Sequence, residues 1–463
     1  MAGIGFKIQK LLSEDTYWGV LKGYFYSAVI SSGPWLISIL CIGALGLFSR
    51  PLIGQEEHAI FRIWVMYCYA ASLVVSGAVQ MLITRYISDC IHGKRTEVLL
   101  ASFITYSLPV FAIQLTSAYA YLLWSGFSSI IIYSGALLYA IITLIWIAMI
   151  YLSAAKDYLT IVFAYLIGAV ASIAGASALA GDYGLPGVLG GYTAGQAILL
   201  AVLVSRIVVE FPSRQFVDPD CLRFLTRYPL LGLTGLFYNA AIWVDKLLFW
   251  IYEGREIHRG FYTCPFYETP TYLAFVTIVP ALSIFLIRIE TSFYTTYREY
   301  YLKVTGKYSL GEILASKRSM WRSLSLSFAR LFIFQGSVTA VCFAYSHHIL
   351  MFFKMDSYQL GVLRITILGA FFHSLLMVLF IMILYFDWRH LALRCSLVFL
   401  ITNAVFTGIS LNLDISWRGY GYFFASLLTL CYGTLSFLER FDDLEYITFS
   451  SQPLGGLTWS EKA

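Results

Sequence analysis

Long apolar runs separated by short polar or turn-rich breaks recur from one end of this chain to the other. Twelve are separable: Phe25 to Phe48, Ile60 to Ile83, Val98 to Trp124, Ile130 to Leu152, Leu159 to Leu179, Leu185 to Val209, Pro229 to Ile251, Tyr272 to Ile287, Phe328 to Tyr345, Val362 to Leu384, Leu391 to Leu411 and Tyr420 to Phe437. Most match the roughly 20 residues that a helix needs to cross the hydrocarbon of a bilayer. A backbone in lipid must satisfy its own hydrogen bonds, so such runs predict helices. The expected fold is an all-α integral membrane protein of about twelve transmembrane helices. The eighth run is the shortest, and the ninth opens close to Arg330.

The breaks divide the chain. Within residues 1–24, Ile4, Ile8, Leu11 and Leu12 share one helical face while Lys7, Lys10 and Glu14 take the other, which predicts an interfacial helix. Residues 25–209 hold six runs, 210–228 form a charged linker, 229–438 hold six more, and 439–463 form a tail. Six plus six predicts two bundles about a central cavity, the arrangement of transporters that rock between two openings. Lys and Arg alternate strongly between the two sides. Only Arg50, Arg62, Arg255, Arg259, Lys354, Arg364 and Arg418 fall on one side, and all the rest except the intramembrane Lys246 fall on the other. The basic side faces the cytoplasm. Both termini are therefore expected there.

Composition sharpens the class. Hydrophobic residues make up 59% of the chain and charged residues 12%, against about 25% charged in a soluble domain. A net charge of +5, spread over membrane loops, implies no nucleic-acid partner. The eight cysteines occur singly, without the spacing of a metal site or a disulfide frame. There is no P-loop, HExxH or other catalytic signature, so a transporter that needs no cofactor or metal is expected rather than an enzyme. The aromatic load of 34 Tyr, 35 Phe and 11 Trp suits interfacial belts and equally suits a passage for sugars, whose rings pack on aromatic faces.

Ionisable groups inside a bilayer are costly and mark functional candidates. Asp245 and Lys246 interrupt the seventh run, in a segment that also carries Tyr238, Asn239 and Trp243. Either Asp245 faces the cavity, to meet a cationic or hydroxyl-rich substrate or to couple to a proton or sodium ion, or the two form a structural pair with Lys246 snorkelling. Arg85, with Gln80 deeper in the second run, reads as an interface anchor or a passage residue; Arg288 and Glu290 could form a gate network at the inner end of the eighth. His373, midway along the tenth, is a titratable group or a packing residue. The stretch 288–327 is expected to continue the eighth helix and then lie on the membrane surface. Its Tyr297, Arg298, Lys303, Lys307, Lys317 and Arg318 would anchor it to anionic lipid or dock a cytoplasmic partner.

The opening residues Gly3, Ile4, Gly5, Phe6, Leu11 and Leu12, and the run Ile30, Ser31, Ser32, Gly33, Pro34, Trp35, resemble the start of the PelG family, the inner-membrane transporter subunit of Pel exopolysaccharide systems. Trp243, Asp245, Lys246, Tyr267, Glu268 and Ile287 to Thr291 continue the resemblance along the chain. It implies a fold related to the multidrug and polysaccharide flippases, and a galactosamine-rich, partly cationic polymer as cargo. It also implies three partners: a cytoplasmic glycosyltransferase, a cyclic-di-GMP receptor subunit and a further inner-membrane subunit. For such cargo Asp245, Glu268 and Glu290 become candidate passage residues. Two other functions stay open: an ion-coupled flippase of lipid-linked oligosaccharide or small cations, and a scaffold that recruits the polymerase.

Overall fold

A computed structural model of the chain describes residues 17–284, 293–306 and 308–450, with the backbone alone at 17–26, 28, 31 and 284. The expected interfacial helix therefore falls on residues of which 1–16 lie outside this description. From Tyr17 the chain is helical: α1 (Tyr17–His92) holds the first two runs and turns back at Gly54. A φ of 80° with ψ of 175° there is open to a residue without Cβ. α2 (Leu99–Ser125) ends on Gly126 in the left-handed conformation, and α3 (Ser129–Ala154) follows. α4 (Tyr158–Glu210) holds the fifth and sixth runs and turns at Gly184, φ 62°. Glu57 accepts a hydrogen bond from the Leu185 N–H at 2.8 Å, so the side chain beside one turn caps the helix leaving the other.

The linker is anchored to the first bundle. α5 (Pro219–Arg227) starts on Asp218, which caps the Asp220 N–H and receives the Tyr86 hydroxyl. The Asp218 N–H donates to the Thr105 hydroxyl at 2.9 Å, and Tyr106 donates to the Cys221 carbonyl. Burial pushes the Cys221 thiol up to about 12. Nearby, burial acts to raise the Asp157 carboxyl, but hydrogen bonds from Arg206 and Thr160 outweigh it and hold the group below the usual carboxylate range.

α6 (Pro229–Tyr252) opens the second half, and a hairpin of β1 (Arg255–His258) and β2 (Phe261–Thr263) leads to α7 (Pro265–Val276) and α8 (Val279–Ile284). Then come α9 (Tyr294–Thr305), α10 (Leu310–Ala344), α11 (Ser346–Phe352), α12 (Gln359–Tyr385), α13 (Arg389–Leu411), α14 (Tyr420–Asp442) and α15 (Leu444–Ser450). Eight helices among the described residues are long and apolar enough to cross a membrane; α1 and α4 each fold into two spans. α6 and the broken pair α7–α8 bring the number to twelve.

Several of the expected boundaries move: the first span is helical from Tyr17 rather than Phe25, and the second runs on to His92 rather than ending at Ile83. The eighth span begins at Pro265 rather than Tyr272 and is interrupted between Val276 and Val279. The ninth begins at Leu310 rather than Phe328, because Ser309 and Glu312 form a reciprocal capping box. Residues 310–327 are thus the first turns of a 35-residue helix and not a strip lying along the surface.

α1 to α4 pack on one another, as do α6 to α14, and α1 carries the seam between the two groups, against α6 and α8. Along α6 the seam closes through glycines. A Cβ on Gly235 would strike the Gly77 carbonyl, and one on Gly232 would come within 3.0 Å of the Ala78 carbonyl. At α8, Ser27 donates to the Ser283 carbonyl at 3.0 Å.

Candidate functional site: a buried polar cluster in the second bundle

Consecutive helix residues point about 100° apart, yet Asp245 and Lys246 meet. The lysine stem curls back toward the start of α6 until its Nζ donates to the Ile242 carbonyl at 2.9 Å, one turn earlier, and to both Asp245 oxygens at 3.1 Å. Asp245 is wholly buried and Lys246 is 8% exposed. Tyr267 of α7 donates its hydroxyl to Asp245 at 2.6 Å. Around the ammonium stand the rings of Phe275 at 4.7 Å, Tyr422 at 5.4 Å and Trp243 at 6.0 Å, within the range of cation–π attraction. The Trp243 indole N–H has no hydrogen-bond partner among the described residues.

A second layer rests on this one. His373 of α12 is buried, with one ring nitrogen 2.8 Å from the Tyr422 hydroxyl and the other 3.2 Å from Tyr238. Tyr238 stacks on Phe380 at 4.6 Å. Asn403 of α13 donates to the Ala241 carbonyl at 2.8 Å and receives Thr407 at 3.2 Å. Four helices and α7 thereby contribute to one buried cluster inside an apolar bundle. Chemically, the cluster holds a cation against a carboxylate and aromatic faces.

Of the expected site residues, the structure brings together Asp245, Lys246, Trp243, Tyr238 and His373. Asn239 stands apart at the glycine seam, donating to the Gly235 carbonyl at 2.9 Å. Gln80 donates to Ser76 at 2.8 Å. Arg85 lies at the basic end, 3.3 Å from Asp89 and 3.6 Å from Asp387 of the second bundle, over the Tyr228 ring at 5.7 Å. Arg389 covers the same ring at 4.5 Å. Glu268 lies at the opposite end, taken up by the Trp250 indole at 2.7 Å, the Cys264 N–H at 2.6 Å and the Thr263 hydroxyl. Arg288 and Glu290 lie outside the described residues, as does Lys307.

The other docking candidates divide. Tyr297 packs inward, its hydroxyl on the Tyr385 carbonyl at 2.9 Å and its ring beside Phe293 and Phe386. Lys303 pairs with Glu299 at 2.7 Å, a hydrogen bond that raises its pKa. Lys317 bridges to Glu445 at 2.5 Å and to the Asp442 carbonyl at 2.8 Å. Arg298 and Arg318 are exposed. Lys317, Arg318, Trp321, Phe441 and Glu445 line a cavity of about 330 Å³ where α10 meets α14 and α15.

Sequence reasoning singled out the charges of the cluster and Trp243 but not the rest of the cage: Phe275, Tyr422 and Asn403 were not named, and Tyr267 entered only through the family resemblance. Phe275 and Tyr422 sit one and several spans away, and nothing local distinguishes them from lipid-facing aromatics. Thr271 and Tyr267 share one helical face with Phe275 at four-residue spacing, which is the signal that was available.

The PelG family, described as "Putative exopolysaccharide Exporter (EPS-E)", matches residues 1–449. No curated protein matches the chain. Among solved structures, an outward-facing multidrug resistance MATE family transporter of the MOP superfamily is similar with a TM-score of 0.64 at 13% identity, covering 95% of this chain and 98% of that one. A MOP superfamily transporter from Pyrococcus furiosus gives 0.63 at 12% identity, with 92% and 96% covered. The Vibrio cholerae MATE transporter VcmN in its bent form gives 0.65 at 11% identity, with 92% and 99% covered. The shared fold has twelve transmembrane helices in two six-helix bundles about a central cavity.

Proposed function

Because the chain belongs to the PelG exopolysaccharide-exporter family, we propose that this membrane transporter carries a Pel-type, galactosamine-rich polysaccharide across a bacterial inner membrane. It works in a complex with the cytoplasmic glycosyltransferase that makes the polymer, a cyclic-di-GMP receptor subunit and a further membrane subunit. The observation that carries this reading is the family match over residues 1–449 of 463. The charge asymmetry supports an orientation with the basic end, Arg85 and α9 included, in the cytoplasm. Under it the growing chain enters beside Arg85 and leaves past the hairpin and Glu268, and the exposed Arg298 and Arg318 are available to the synthase. α1, α6 and α8, which meet at the seam between the two groups, border the route; the Asp245 cluster stiffens its wall from inside the second bundle.

The test is secretion of galactosamine-containing polymer in cells lacking the gene, complemented with wild type or with Asp245→Asn, while synthase level and membrane insertion are followed. Loss of secreted polymer with synthase intact supports export by this chain. Unchanged secretion without the gene removes the reading.

A second reading is an ion-coupled flippase, favoured by the fold shared with MATE transporters and by the buried carboxylate. It requires that collapsing the proton or sodium gradient stop export while polymer synthesis continues. The exporter reading requires that export follow synthesis.

A further inference from the structure

The ammonium of Lys246 has the complete surroundings of a bound cation. Two carboxylate oxygens of Asp245 and the Ile242 carbonyl accept its hydrogen bonds. Phe275 and Tyr422 present their faces to it, and Tyr267 completes the carboxylate from the other side. With Asp245 wholly buried and Lys246 at 8% exposure, the pair has little contact with water. A buried carboxylate without a partner is strongly unfavourable, so the ionised form of Asp245 needs a positive charge beside it. Here the positive charge is part of the chain.

We propose that Lys246 is the resident, covalently tethered occupant of a monovalent-cation site in the second bundle. The intact protein therefore binds no sodium or other free cation at Asp245, and trimming the lysine exposes a site for a small primary ammonium ion. Lysine to alanine removes three methylene groups and the ammonium, so n-propylammonium replaces what is lost. Resting on the transporter reading, one consequence follows: no ion gradient is spent through Asp245, and the driving force for export arises elsewhere, as in chain growth by the synthase.

The test uses the full-length protein purified in detergent, its thermal unfolding followed in n-propylammonium chloride, sodium chloride and N-methylglucamine chloride. Wild type is expected to give one Tm in all three salts. Lys246→Ala is expected to unfold at lower temperature and to regain stability saturably with n-propylammonium but not with N-methylglucamine. Asp245→Asn/Lys246→Ala is expected to lose that response. A sodium-dependent rise in the wild type that Asp245→Asn abolishes overturns the proposal, as does a Lys246→Ala protein indifferent to n-propylammonium. If Lys246→Ala cannot be recovered, purifying it in n-propylammonium from lysis onward is expected to rescue it, and failure of that rescue also overturns the proposal. None of these readouts depends on what the protein exports, so failure here is distinct from failure of the exporter reading.

Discussion

At the scale of single residues, Asp245 and Lys246 show how much a charge in an apolar run reveals and how little it says about its partners. Removing one member of a buried ion pair leaves the other desolvated and unpaired, which costs about 3–5 kcal/mol, whereas replacing both with apolar or neutral groups of similar volume is often nearly neutral. Asp245→Asn is therefore expected to destabilise the protein by that order, and Asp245→Asn/Lys246→Met to recover most of the loss. Denaturant or thermal unfolding in detergent checks this. Additive losses in the double variant would show that the two residues do not act as a pair. The pair was legible because Asp245 and Lys246 are the only charged residues from Pro229 to Tyr252. Its cage was not, because Tyr422 lies 176 positions from Lys246 in a chain containing 34 Tyr, and only the packing of α14 against α12 and α13 brings it there. Glu268 was singled out only through the family resemblance, as a candidate passage residue, and not as a residue whose oxygens accept from the Trp250 indole and the Cys264 N–H. Those donors make it the lock of the turn from β2 into α7.

At the scale of elements, spans were readable wherever hydropathy alone sets the boundary, and misread where capping or proline sets it. Arg322, Arg318 and Lys317 depress the hydropathy before Phe328, yet the helix runs back to Leu310 because Ser309 and Glu312 cap it there. Ser309 and Glu312 have the S-x-x-E spacing of a capping box in the sequence. Pro280, which lacks an N–H and so leaves the Val276 carbonyl without its helical partner, lies just past the break in the eighth span, and the Thr277 carbonyl falls at the break itself. A break inside a membrane is tolerated only where neighbours satisfy the backbone; here the buried Gln335 of α10 donates to the Thr277 carbonyl at 2.7 Å. Gln335→Leu is expected to leave that carbonyl unsatisfied and to destabilise by about 1–3 kcal/mol, measured as a lower unfolding midpoint. An unchanged midpoint would mean that the break is satisfied otherwise. The seam makes a second test. Gly77 and Gly235 let α1 and α6 touch backbone to backbone, so Gly235→Leu is expected to pry the bundles apart and cut secretion severalfold. Leu233→Ala, at a 41% exposed position of the same helix, is the control expected to leave secretion unchanged. Equal secretion from the two variants would show that export does not need the close approach.

At the scale of the whole molecule, the two ends of the bundle interface are held by different physics, and the difference sets which end yields first. At the basic end, Arg85 reaches Asp387 at 3.6 Å with both side chains about a third or more exposed, and such a pair contributes at most about 1 kcal/mol and weakens with salt. The cation–π contacts of Arg85 and Arg389 over Tyr228 add contributions of the same modest order. At the opposite end, the hairpin inserts the wholly buried Phe261 among Trp64 at 5.7 Å, Tyr67 at 5.8 Å, Tyr121 at 6.0 Å and Phe127 at 5.1 Å. Each aromatic pair contributes about 0.5–1.5 kcal/mol beyond the area it buries. Tyr67 also exchanges hydrogen bonds with the Tyr262 carbonyl at 2.8 Å and N–H at 2.9 Å, and Tyr121 donates to the Gly260 carbonyl. Separation at the basic end is therefore the easier motion, and separation at the hairpin is the step that needs work. Joining cysteines placed at Tyr67 and Tyr262 with a short bis-maleimide is expected to abolish polymer secretion, while Arg85→Ala, which loosens the basic end, is expected to reduce it only modestly and less at high salt. Secretion that survives the cross-link would place the exit route away from the hairpin, and secretion lost in Arg85→Ala but kept after cross-linking would reverse the order of the two gates.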